Sequence, residues 1–377
     1  MKIAFVTTQT LSGSTVAGRI LPLGKELKKQ HQVLTYVMQG QDSGGADVKI
    51  VGQEPFERTA NGKIRLRGLS LVIRLLKNTF QTFEQLIQDK PEIIVIVKPL
   101  PQNTLAVALA RWLYSPKKII LDCDDFELTA NVLTSLTQRG VIHASERLAC
   151  KISQAAIVAT PFLQDHIRYL TNNKKPVHLM PTGLTLASAN LSSGEKNLVY
   201  AGSISISSGH RVDMLPQILK ALHGTYPQLT LHLAGTGDDT QKIKDKAIQE
   251  GVASQLKWHG RFSESSLLKM MNQQTILLDP IDSSVVARAK SSFRCMVALQ
   301  TGLPVITSSV GIRTQLLPTK LHERLLAKPG DVMDYVEKIK SLLANPLTDS
   351  DKTALKEASS KYTWQTLADI YLSAIHI

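Results

Sequence analysis

Short runs rich in valine, isoleucine and leucine recur along the whole chain. Almost every one ends in a loop of Gly, Ser, Thr, Asp or Pro and is followed by a stretch of helical length. In the first half the runs fall at 2–7, 33–37, 93–97, 118–121, 155–160 and 177–180. In the second they fall at 197–201, 229–234, 256–259, 275–278, 303–307 and 324–328. A run that is apolar at nearly every position, instead of every second one, is buried on both faces. Strands of that kind alternating with helices make a mostly parallel sheet covered on both sides. With 377 residues the chain has room for two such doubly wound α/β domains, and no solenoid period is evident.

Composition and punctuation place the boundary. Pro181-Thr182-Gly183 is a turn, and 188–196 is polar and serine-rich. The expected layout is a first domain over 1–183, a linker over 184–196, a second domain over 197–350, and terminal helices over 351–377. The sequence starts MKIAFVTT, a strand pattern and not a signal peptide, and no apolar run reaches bilayer-spanning length. Cys123, Cys150 and Cys295 are scattered without metal-binding spacing, as suits a reducing cytoplasm. The net charge of +13 is uneven: residues 1–180 hold 23 Lys/Arg against 14 Asp/Glu, the remainder 21 against 17. That excess fits an anionic partner, such as a membrane surface or a phosphorylated substrate, or simple solubility. Aromatic residues make up 5% of the chain, too few for base stacking, so nucleic acid is not an expected partner.

The stretch 286–308, VARAKSSFRCMVALQTGLPVITS, carries the most chemistry. A polar loop over 281–289 is followed by Lys290-Ser291-Ser292, a helix start with serine caps, and Gly302 ends the helix. A helix N-terminus offers N–H groups and a favourable dipole to an anion. Lys290 and Arg294, four apart, share a face if both are helical. They form either a diphosphate seat or two solvated cations on a surface helix.

Other loops follow strands where open α/β sheets place ligands. Gly13 lies in the loop after the first strand. Gly202-Ser203 opens a small-residue loop, GSISISSG, that runs into His210-Arg211. Backbone N–H groups of such a loop can cradle phosphate, although no Gly-Lys-Ser/Thr follows. Lys98-Pro99-Leu100-Pro101 ends one strand, and Asp122-Cys123-Asp124-Asp125-Phe126-Glu127 ends the next. The acids could hold a metal, recognise an acceptor hydroxyl or act as a base, or cap the following helix at Asp124 or Asp125. Residues 68–89 form a long amphipathic helix with Leu69, Val72, Ile73, Leu76, Phe80, Phe83 and Leu86 on one stripe. No acid occurs between Arg58 and Lys77. The stripe packs on a core with its cations solvated, or the helix lies on an anionic bilayer.

The 290–305 segment resembles the donor-site helix of GT-B glycosyltransferases, in particular retaining family four. There the pattern is Lys-Ser-x-x-Lys-x-x-Glu-x-x-x-x-Gly-x-Pro-Val; here Lys290, Ser291, Arg294, Gly302, Pro304 and Val305 match. The family's acidic pair falls at Ala289 and Val297. The loop's usual arginine and lysine fall at Ser203 and Ser208, and the histidine of the first domain falls at Val97 or Lys98. Tyr362-Thr363-Trp364 is similar to the family's "Tyr-Ser-Trp" tail that crosses back to the first domain. The resemblance implies two Rossmann-like domains facing a cleft. It also implies transfer of a sugar, with retention, from a nucleotide diphosphate sugar (a UDP-sugar above all) to a glycan or lipid-linked saccharide in polysaccharide biosynthesis, without metal or other cofactor. Lys290, Arg294, Ser291 and Ser292 would take the diphosphate, Gly13, Gly202, Ser203, His210 and Arg211 would close on phosphate, and Arg261 and Phe262 would hold the base. Asp124, Asp125 and Lys98 would face the acceptor. A cytoplasmic enzyme, peripheral at the inner membrane face, is the expectation. The alternative is an inactive GT-B partner of a glycan-assembly complex.

Overall fold

Two parallel sheets organise the chain in the computed structural model, which describes residues 1–40, 45–59, 62–131, 133, 135–184, 186 and 191–376. The side chains at 58, 59, 62 and 63 are outside that description. Unit 1 comprises Met1–Gly183 and Trp364–Ile377, and unit 2 comprises Leu184–Thr363.

Unit 1 contains β1 (Lys2–Val6), β2 (Gln32–Gln39), β3 (Val48–Gln53), β4 (Phe56–Thr59), β5 (Gly62–Arg65), β6 (Ile93–Val97), β7 (Lys118–Cys123), β8 (Ala155–Val158) and β9 (Val177–Leu179). Seven of these form a sheet in the order β3-β2-β1-β6-β7-β8-β9, every pairing parallel. Its helices are α1 (Leu21–Leu27), α2 (Gly68–Asp89), α3 (Pro101–Tyr114), α4 (Glu127–Ala130), α5 (Leu136–Ile152) and α6 (Pro161–Leu170). A π-helical turn, Val16–Ile20, precedes α1.

Unit 2 repeats the scheme with β10 (Asn197–Ala201), β11 (Thr230–Ala234), β12 (Leu256–Gly260), β13 (Thr275–Leu278), β14 (Val305–Ser308) and β15 (Leu326–Ala327), in the order β12-β11-β10-β13-β14-β15. Its helices are α7 (Leu215–His223), α8 (Thr240–Gln249), α9 (Glu264–Lys269), α10 (Val285–Ala289), α11 (Phe293–Thr301), α12 (Arg313–Leu316), α13 (His322–Leu325), α14 (Val332–Ala344) and α15 (Asp349–Ser359). The last helix, α16 (Trp364–His376), belongs to unit 1.

All five side chains of β6 and of β10 are buried, the result expected where helices cover both faces of a sheet. Each buried Val, Leu or Ile contributes roughly 1.5–3 kcal/mol. Of the two terminal helices only α16 joins unit 1; α15 packs on α11 within unit 2. Tyr371 of α16 lies 5.7 Å, ring to ring, from Phe5, and its hydroxyl donates to Asp122 at 2.7 Å. Asp122 also takes the Arg19 guanidinium at 3.0 Å, and all three side chains are fully buried. The ion pair thus ties the π-helical turn, β7 and α16 together.

The region 38–68, where the sequence shows no apolar run beyond β2, contains β3 and the antiparallel β4–β5 pair. Two sequence expectations are corrected. The expected loop 281–289 contains α10, capped by Ser284. The helix after the acidic cluster starts at Glu127 with Phe126 at the N-cap position and no side-chain cap, so Asp124 and Asp125 do not cap it. Residues 185 and 187–190 of the expected linker lie outside the described residues.

Candidate functional site

Both sheets reverse their strand order beside the first strand of the unit, between β1 and β6 and between β10 and β13. Ligands of open α/β sheets bind at such a switch point, beyond the C-terminal ends of the strands.

In unit 2 that place is built on Asp279, the residue after β13. Its carboxylate accepts from Ser292 Oγ at 2.7 Å, Thr307 Oγ1 at 2.9 Å, Arg294 Nε at 2.7 Å and Arg313 Nε at 2.8 Å. Burial would raise the Asp279 pKa, but Arg294 and Arg313 outweigh it and hold the acid well below its usual range. One carboxylate faces two guanidiniums, so the cluster retains a net positive charge. Arg313 is 0% exposed, and its Nη2 has no hydrogen-bond partner among the described residues. A buried donor without an acceptor is uncommon.

Ser292 is the N-cap of α11 and accepts from the Cys295 N–H, while its own hydroxyl points to Asp279. The N-terminus of α11, with the N–H groups of Phe293 and Arg294 that no helix can pair internally, therefore stands beside the arginine cluster. Two glycine loops complete it. Gly202 (φ 149°) and Gly235 (φ 148°) are stacked so closely that a Cβ on Gly235 would lie 1.8 Å from the Gly202 carbonyl oxygen. A Cβ on Gly202 would meet Arg294 Nη1 at 2.4 Å. Only glycine fits either position.

His210 follows the loop, with Nδ1 3.1 Å from Arg294 Nη2. A guanidinium only donates, so Nδ1 accepts and the ring proton is on Nε2. Burial, then Arg294 and Lys290, depress the His210 pKa well below 6.5, so the ring stays neutral.

The expected roles in unit 2 divide accordingly. Arg294 is not a surface cation sharing a helical face with Lys290: it is 2% exposed and spends its donors on Asp279, the Ala201 carbonyl and His210. Lys290 is half-buried and lies before the N-cap in extended backbone, φ −97° and ψ 134°. Arg211 grips Asp213 through two bonds of 2.9 and 2.8 Å, with Asp282 at 3.7 Å, so its charge is compensated locally. Ser203 is exposed, and its carbonyl accepts from Tyr200. Arg261 is exposed, and Phe262 meets Phe293 of α11 at 6.1 Å between rings. Val297 and Ala289 are buried in the apolar core.

In unit 1 the switch point gathers Lys98 after β6, Asp124 and Asp125 after β7, and the loop after β1 that contains Gly13. Lys98 is 5% exposed and takes positive φ, 65°. Its ammonium lies 3.0 Å from Asp124, 2.7 Å from Asp125 and 3.3 Å from Glu127. Burial would lower the Lys98 pKa, but the three acids raise it well above normal. Glu127 is pushed up by burial, against Lys98. Asp124 also accepts from Thr15 at 2.7 Å, which ties the cluster to the Gly13 loop. The acids thus surround a cation of the chain itself. Beside them Phe126 meets His166 edge-on at 4.9 Å, and His166 Nε2 is 3.0 Å from the buried Glu146.

Asp279, Arg313, Thr15 and His166 were missed as site residues. Asp279 alone had a signal, an acid directly after an apolar strand.

Residues 195–345 match the family described as "Glycosyl transferases group 1". Glycogen synthase of Mycobacterium tuberculosis is 23% identical over 248 residues, 62% of this chain and 57% of that protein. The chain thus spans little more than half the length of the curated relatives it matches. Among solved structures, sucrose-phosphate synthase from Thermosynechococcus elongatus superposes with a TM-score of 0.73 at 16% identity, over 100% of this chain and 98% of that one. Anabaena Alr3699/HepE in complex with UDP-glucose gives 0.72 at 12% identity, with both chains fully covered.

Proposed function

We propose, for a chain whose second unit carries a group 1 glycosyltransferase domain and whose fold is that of GT-B glycosyltransferases, that it transfers a sugar from a UDP-sugar to a hydroxyl of a glycan or lipid-linked saccharide, with retention at the anomeric carbon. The observation that carries the reading is the positively charged cluster of Arg294 and Arg313 on the single acid Asp279, at the N-terminus of α11 and under two interlocked glycine loops. Such a site stabilises the diphosphate that leaves as the glycosidic bond breaks, where preorganised positive charge is most effective. Uridine is favoured because similar solved structures hold UDP or UDP-glucose.

In this reading Lys290 and the backbone N–H groups at Ser291 and Ser292 contact the diphosphate, and Arg294 acts through them. Arg294 holds the helix start against Asp279 and orients His210, whose Nε2–H donates to a phosphate or sugar oxygen. The glycine loop from Gly202 closes on the same group, and Phe262 with Arg261 takes the base. In unit 1, Lys98 and its acids orient the acceptor hydroxyl, and the Asp124–Thr15 bond fixes the Gly13 loop for it. The chain's own residues supply this chemistry without a resident metal.

A second reading rests on the apolar burial of Val297 and Ala289. With no acid there to hold the ribose hydroxyls, the chain would bind nucleotide as a partner subunit without turnover.

Calorimetric titration with UDP, GDP, ADP and their sugar conjugates, with and without metal, tests the donor. Release of UDP on adding acceptor, with the product's anomeric configuration read by NMR, separates the two readings. Failure of a folded sample to bind any nucleotide would remove both.

A further inference from the structure

Helix α2 is amphipathic in the inverted sense. Its buried side chains are Asn78, Thr79, Thr82 and Leu86. Of the expected core stripe only Leu86 is buried and Phe83 is half-buried; Leu69, Val72, Ile73, Leu76 and Phe80 are exposed, Leu69 to 74% and Phe80 to 57%. The roll of the helix is fixed by Asn78. Its amide bonds both backbone groups of Gln53 in the edge strand β3, at 3.1 and 2.8 Å, and a Cβ on Gly52 would collide with it at 2.4 Å. With the polar face pinned to the sheet edge, the apolar face points to solvent.

The neighbouring helix does the same. α3 packs beside α2 and exposes Leu109, Trp112 and Leu113, Trp112 to 83%. Acids are sparse here: Asp and Glu are absent from 58–83 and again from 99–121, and the first acid on α2 is the exposed Glu84, one turn after Phe80. Arg65, Arg67 and Lys77 are exposed around the α2 stripe, and Arg111 is exposed on α3. The side chains of Arg58 and Lys63 lie outside the description. Among the described residues no helix is long and apolar enough to cross a membrane.

We propose that unit 1 docks on an anionic lipid bilayer through the exposed apolar stripe of α2 and the cations that flank it. The apolar side chains enter the interfacial layer, Trp112 sits at headgroup depth, and the arginines and lysines meet lipid phosphates. Charge selects this occupant over a second copy of the chain. A two-fold pairing of α2 stripes would bring the cations Arg65, Arg67 and Lys77 of each copy together with only Glu84 of the helix's exposed acids beside the stripe, which leaves the pairing with a net positive charge. The inference stands on this surface and is independent of the sugar-transfer reading.

The test is flotation of the full chain with vesicles of phosphatidylcholine alone or mixed with phosphatidylglycerol. The chain is expected to float with the anionic vesicles and to be released by salt. Leu76→Asp and Phe80→Asp should each lower the partition coefficient about tenfold or more. Arg67→Gln and Lys77→Gln should each lower it about fivefold, the factor for one cation near an anionic surface, and should weaken the salt dependence. All four residues are exposed, so melting temperatures should not move. No flotation of the parent chain, or flotation unchanged by Phe80→Asp, overturns the proposal. So does a dimer in sedimentation velocity that Phe80→Asp dissociates while vesicles go unbound. UDP calorimetry on the same samples reports unit 2 separately, so failure of nucleotide binding and failure of docking are told apart.

Discussion

The Nε of Arg294 lies 2.7 Å from the carboxylate of Asp279, and Arg313 meets the same carboxylate at 2.8 Å from the other side. Removing the acid leaves two buried guanidiniums without a counter-charge. Asp279→Asn is expected to destabilise unit 2 by about 3–5 kcal/mol, the cost of breaking a buried pair from one side. Chemical denaturation with a probe in each unit should show the loss in unit 2 alone. The Asp279 pKa is depressed on folding, so its stabilisation is full above about 3.9 and is lost only as pH falls toward the lower folded value. The variant should therefore show a flatter acid limb.

Lys290 is half-buried outside the first turn of α11, whereas Arg294 is locked inside it. Lys290→Ala should weaken nucleoside diphosphate binding by about 1.5–3 kcal/mol, the scale of a charged hydrogen bond, with little change in melting temperature. Arg294→Ala should lower the melting temperature as well as the affinity. Calorimetry and thermal melts on both variants check the contrast; unchanged affinity in Lys290→Ala would remove it from the site.

His210 is neutral in the folded chain, with a pKa well below 6.5. As pH falls below 6.5 the unfolded chain takes up a proton that the folded one does not, so folding stability drops. His210→Gln should lessen this loss between about pH 6.5 and 5. Nitrogen-detected NMR should show the Nε2–H tautomer at neutral pH. A His210 that titrates near 6.5 would contradict the contact with Arg294.

Lys98 pairs with three acids at once. In Lys98→Met the remaining carboxylates repel one another, their folded pKa values rise above the unfolded ones, and stability declines as pH climbs past about 4. The parent and variant melting curves should accordingly lie closer at pH 4 than at pH 7, and an equal gap at both would mean that the ion cluster contributes nothing.

Much of the architecture was legible because a strand buried on both faces leaves a run that side-chain chemistry cannot disguise; β6, IIVIV, is the plainest case. Ser292 was legible as a cap because a serine before a helical period has few other uses there. The pairing of Lys290 with Arg294 was misread because spacing of four places residues on one face only if both are helical, and Lys290 is not. The roll of α2 was beyond periodicity: a 3.6-residue pattern reveals a stripe but not which side the sheet will take. That was decided by one asparagine and the edge strand it binds. The convergence on Asp279 joins residues up to 34 positions apart, and no local pattern announces it.

Tyr371 reaches Asp122 across 249 residues of sequence, and everything in unit 2 lies between them. On a ribosome, unit 2 is complete in sequence before the helix that finishes unit 1 has been made. Arg19 and Asp122 meet early, but their hydroxyl partner arrives only when 364–376 emerge. The half of the molecule encoded first is therefore the half that matures last, and any truncation within α16 should strike the N-terminal sheet while sparing the sheet of unit 2.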